Sequence, residues 1–70
     1  MAKQLENITA GFRLITTMNS GSDTQECDLT TADQDVAHFE QVWEKGEHWT
    51  LQALTFNDEW VTIDGARRYE

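Results

Sequence analysis

The chain has 70 residues, with thirteen Asp and Glu against five Lys and Arg, a net charge of −8 and a single cysteine. These figures allow one small domain and exclude a disulfide scaffold, because Cys27 has no intramolecular partner. They also speak against direct binding to nucleic acid or anionic lipid, which needs clustered cations. No apolar run is long enough to span a bilayer. No basic start leads into an apolar stretch of a secretory signal, so a cytoplasmic protein is expected.

High net charge favours disorder, but the chain carries three Trp, three Phe and one Tyr, and no proline. Its apolar residues also recur periodically, so a single folded domain over residues 1–70 is expected. Met1 to Ala10 reads as a frayed or extended lead-in: Leu5 and Ile8 share a face of a short helix, or Ile8 and Ala10 lengthen the next strand. Phe12 to Asn19 alternates as a strand, with Phe12, Leu14, Thr16 and Met18 on one face. Ser20 to Asp23 supplies turn residues. Thr24 to Leu29 alternates again, so the two runs form an antiparallel hairpin.

Thr31 to Lys45 has the pattern of a helix. Thr31 and Gln34 have capping-box spacing, Asp33 and Asp35 fall in the first turn, and Lys45 with Gly46 marks the end. Ala32, Val36, Phe39, Val42 and Trp43 form its apolar stripe. Asp33, Glu40 and Glu44 make an acidic ridge beside it. His48 to Phe56 is a third strand, with Trp49, Leu51 and Ala53 on one face and a change of face at Ala53-Leu54 that indicates either a bulge or a strand covered on both faces. Asn57-Asp58 is a turn, and Trp60 to Ile63 is a fourth strand with Val61 and Ile63 inward. Asp64-Gly65 reads as another turn. Ala66 to Glu70 is an optional short fifth strand with Ala66 and Tyr69 inward. The fold class is α+β: one helix packed on an antiparallel sheet in the order β-β-α-β-β. The expected core is Phe12, Leu14, Leu29, Val36, Phe39, Trp43, Leu51, Val61 and Ile63.

No pattern specifies a chemistry. Cys27 stands between Glu26 and Asp28, which oppose thiolate formation rather than promote it. His38, Glu44, Glu47 and His48 have no metal-ligand spacing, and the acids from Asp23 to Asp35 lack the order of a calcium loop. Arg67-Arg68 is too small a basic group to hold nucleic acid. No catalytic residue, metal or cofactor is therefore expected. What remains is charge: from Ser22 to Glu47 eight acids stand against the single base Lys45, a local net charge of −7.

In size, charge and lack of a catalytic motif the chain resembles the small acidic inhibitors made by phages and mobile elements, anti-CRISPR proteins among them. That resemblance is one of class, and it implies an inhibitor that docks on the basic groove of a nucleic-acid-handling protein in a bacterial cytoplasm. Its carboxylates would act as phosphate mimics. The candidate contacts are Glu26, Asp28, Asp33, Glu40 and Glu44, with Trp60 as an aromatic anchor. The alternative is a homo-oligomeric accessory domain, most simply a homodimer, joined through Ile15, Leu54, Phe56 and Trp60 on the second face of the sheet.

Overall fold

The first two strands are joined by Asn19 and Ser20 alone, so each residue of one is held opposite a residue of the other. In the computed structural model, which describes residues 9–69, β1 (Thr9–Met18) pairs antiparallel with β2 (Gly21–Cys27) from Met18↔Gly21 to Phe12↔Cys27. The turn is tighter than Ser20 to Asp23, and β2 starts and ends earlier than the Thr24 to Leu29 pattern indicates. The lead-in before Thr9 and the final residue, Glu70, lie outside the described residues. Thr9 and Ala10 belong to β1.

Asp28 ends β2 and starts the helix α1 (Leu29–Val42). Its backbone is extended, and its Oδ1 accepts a hydrogen bond from the Thr31 amide at 2.7 Å. A carboxylate here satisfies an amide that the helix itself leaves unpaired. The cap is therefore Asp28 rather than Thr31, and Asp33 and Asp35 fall beyond the first turn. The helix also ends early. Trp43 is already extended, and Glu44 to Glu47 make a separate turn closed by the Glu47 amide on the Glu44 carbonyl at 2.9 Å. Gly46 supplies that turn with a φ of +90°, a conformation that side chains disfavour. Lys45 thus lies outside the helix, and so does Glu44.

β3 (His48–Thr55) and β4 (Trp60–Arg67) complete a four-stranded sheet of order β2-β1-β3-β4, antiparallel throughout. Between them Asp58 takes a positive φ, and the Thr55 hydroxyl accepts from the Asn57 and Glu59 amides. No fifth strand forms among the described residues. Ala66 and Arg67 continue β4, and the irregularity read as a turn is a bulge: Leu51 pairs with Asp64 but Gln52 with Thr62, leaving Ile63 as the extra residue. Gly65 sits just after it, where a Cβ would lie 3.0 Å from the Trp49 carbonyl oxygen. β3 itself keeps its alternation through Ala53-Leu54. The register shifts belong to its neighbours, at Ala10 on β1 and Ile63 on β4.

The helix crosses the sheet over β1. Phe12, Leu14, Trp49, Leu51 and Ala53 from the sheet and Ala32 and Phe39 from the helix are buried between the two layers, with Cys27, Leu29, Val36, Trp43 and Ile63 packed around them. Phe39 and Trp43 meet edge to face at 5.8 Å between centroids. Three expectations fail here. Val61 shares a face with Ala53 but stays 41% exposed, because α1 does not cover the β4 edge. Val42, the last helical residue, is 62% exposed. Tyr69, placed inward by the sequence pattern, lies past the end of β4 and is 77% exposed.

Among the described residues the second face of the sheet carries no helix and is organised by polar contacts. Arg13 Nε donates to Gln52 Oε1 at 2.7 Å, Gln52 Nε2 donates to Thr62 Oγ1 at 3.2 Å, and the Arg13 guanidinium lies 4.2 Å from the Trp60 ring centroid. Such a row of side chains lets an uncovered face meet water without exposing a broad apolar patch.

Candidate functional site

The chain from Gly21 to Glu44 contains no Lys or Arg. In the fold it becomes an edge strand, β2, followed directly by the only helix among the described residues. Asp23, Glu26, Asp28, Asp33, Glu40 and Glu44 are all exposed along this stretch, and Asp35 is half-buried. The described cations stand elsewhere: Arg13 on β1, Lys45 in the turn after α1, and Arg67 and Arg68 at the end of β4.

The residues singled out from the sequence are distributed as follows. Asp33 and Glu40 project from α1, and Glu44 follows it in the turn. Asp28 is the helix cap, so one of its oxygens is already engaged, and the Thr31 amide holds its carboxyl below the usual carboxylate range. Glu40 is engaged too, since its Oε2 accepts the Trp49 indole N–H at 2.7 Å. Glu26 on β2 pairs with Arg13 on β1 and so lies on the open face. Trp60 lies on the same face but at the opposite edge, opposite Leu54 and under Arg13. Of the residues expected at a dimer contact, Ile15, Leu54 and Trp60 share that face, whereas Phe56 follows β3 in the turn and is 68% exposed.

Two features escaped the sequence reading. The first is Glu47, which is only 7% exposed. Its Oε2 accepts from the Asn19 amide at 3.0 Å and its Oε1 from the Glu44 amide at 2.7 Å. Those amides, with a smaller contribution from the Arg68 charge, hold its carboxyl below the usual range. Its backbone takes part as well: the Arg68 amide donates to the Glu47 carbonyl, the Gly46 amide donates to the Arg68 carbonyl, and the Arg68 guanidinium donates to the Trp43 carbonyl. Glu47 thus ties together the first hairpin turn and the end of the helix through its buried carboxylate, and the chain after β4 through its backbone. Nothing local in the sequence marks this, because the partners are far apart along the chain.

The second feature is a groove of about 290 Å³ on the β2 side of α1, lined by Leu14, Met18, Phe39 and Val42 and flanked by Asp23 and Asp35. The sequence signal for it was present in Val42 and Met18, two apolar residues at the ends of their elements.

Cys27 sits at the end of β2, and its thiol is pushed up first by burial and then by Asp35 and Asp28. A raised thiol is a poor nucleophile at neutral pH. His48 opens β3 opposite Thr17 and Arg67, away from His38 on the helix. Among the described residues no three His, Cys, Asp or Glu side chains converge as a metal site would require. No helix among them is long and apolar enough to cross a membrane.

The chain matches no protein-family model, no curated protein and no solved structure.

Proposed function

We propose that the protein is a small acidic interaction protein that inhibits a nucleic-acid-handling partner by laying carboxylates into its basic groove. It belongs in this reading with the inhibitors that phages and mobile elements direct at bacterial enzymes, anti-CRISPR proteins among them. The observation that supports it is the cation-free unit of β2 and α1, whose acids point outward from two rigid elements. Asp33 and Glu40 stand seven residues apart on one helix, about 10 Å along its axis. That is close to the axial span of three nucleotides of one strand. Glu40 is held in place by Trp49 and the Glu44 backbone by Glu47, so these acids are ordered before any partner arrives. Asp28 and Glu26 extend the surface toward the β2 edge. Trp60, at the far edge and already stacked under Arg13, lies outside it.

The test is capture of binding proteins from a bacterial lysate on the immobilised chain. It compares the wild type with a D33K/E44K variant, chosen because neither carboxylate makes a structural contact described above. The expected partner is retained by the wild type at low salt. It is released as the Debye length shortens from ~10 Å at 0.1 M to ~3 Å at 1 M, and it is not retained by the variant. A partner held equally by both proteins would end the reading.

A further inference from the structure

The groove beside α1 combines exposed apolar side chains with carboxylates. Leu14 and Phe39 from the buried core form its base, and Met18 and Val42, both substantially exposed, form its walls. Asp23 on β2 and Asp35 on α1 flank it from the two layers. Its volume of about 290 Å³ lies just under the ~300–1,000 Å³ of small-molecule sites. That is room for one or two side chains.

Charge selects the occupant. Phosphate-bearing ligands and anionic lipid would meet two carboxylates and a chain of net charge −8. A second copy of the chain would bring the same charge and the same acids, so self-docking here is opposed. A Leu, Met or Phe side chain flanked by Lys or Arg satisfies both properties at once. The apolar group leaves water against Phe39 and Met18, and the cations reach Asp23 and Asp35.

We infer that this groove seats an apolar side chain from a Lys- or Arg-bearing segment of the protein partner. The inference rests on the reading of the partner as basic, and it adds that recognition is not by charge alone.

Two fluorescein-labelled peptides serve as probes, one of Arg, Leu and Ser and one in which Ser replaces every Leu. Fluorescence anisotropy at physiological salt is measured against the wild type, V42R, M18K and D33K/E44K. Val42 and Met18 are exposed enough for either substitution to leave the core intact, and the two variants check one another. The Leu-bearing peptide is expected to bind the wild type about tenfold or more tighter than its Ser counterpart, as burial of one apolar side chain implies. V42R and M18K should each remove that advantage, with amide shifts in the wild type centred on Leu14 and Phe39. If the Ser peptide binds as tightly, or both groove variants bind the Leu peptide like the wild type, the groove is not the seat. The acidic-surface reading then stands on whether D33K/E44K weakens both peptides. If neither peptide binds, both readings fall.

Discussion

The two flanks of α1 meet the sheet in opposite ways. Toward β3 the helix is closed down: Glu40 takes the Trp49 indole, and beyond the helix end Glu47 gathers amides from the first turn and from Glu44. Toward β2 it stands off, leaving Val42 and Met18 exposed above Leu14 and Phe39. A single fourteen-residue helix cannot cover a four-stranded sheet evenly. The chain ties the helix to β3 through Glu40 and leaves the β2 side open. Carboxylates on the closed flank accept internal hydrogen bonds, whereas Asp23 and Asp35 flank an open groove. The comparison separates acids that are also tied into the fold from acids that flank open space.

The strongest way to break this contrast is in the core. Phe39→Ala should cost about 3–5 kcal/mol, a large share of the ~5–15 kcal/mol that a domain possesses, whereas Val42→Ala on the open side should cost under ~0.5 kcal/mol. Urea denaturation of both variants measures the difference. Comparable losses would mean that the groove side is packed after all.

Next comes the closed flank. Trp49→Phe removes the N–H donor together with part of the buried ring, and should cost about 1–3 kcal/mol. Combined with Glu40→Gln, the loss should be less than additive. Full additivity would show that the pair is not coupled.

The pH dependence sharpens the role of Glu47. Its carboxyl, like that of Asp28, is lowered in the folded state. The folded protein therefore binds protons less readily than the unfolded chain. The stability this brings is fully present above the ordinary carboxylate pKa and is lost as pH falls through the lowered folded values. Glu47→Gln should reduce Tm at neutral pH and flatten its decline from about pH 5 downward. A variant with the same acid limb as the wild type would remove Glu47 from its proposed place.

The smallest effect concerns Cys27, whose thiol is raised by burial and by Asp35 and Asp28. Iodoacetamide should alkylate it more slowly at pH 8 than it alkylates the unfolded chain in urea. Asp35→Asn should raise the rate modestly. Equal rates in folded and unfolded protein would contradict the shielding.

Much of the architecture was legible along the chain because it depends on neighbours. The alternation at Phe12 and Leu14, and again at Trp49, Leu51 and Ala53, is a local consequence of pleating, and each of these residues is buried. The order of elements and the acidic, cation-free middle are likewise properties of sequence. The ends of the elements were less legible. Asp28, Thr30 and Thr31 are all competent caps, and only the length of β2, set by its pairing with β1, selects Asp28. Asp64-Gly65 has the composition of a turn, but the ladder with β3 carries the chain straight through it with one residue bulged.

The amino-acid sequence by itself determined the α+β order, the alternating faces and the charge of the surface. The tertiary structure alone decided which acids are free. It brought Glu40 to Trp49 and Glu47 to Asn19, and it left Val42 uncovered beside Met18. The physical reason is separation: periodicity and charge are written in residues a few positions apart. Hydrogen bonds and grooves that join distant segments exist only once the helix has settled to one side of the sheet.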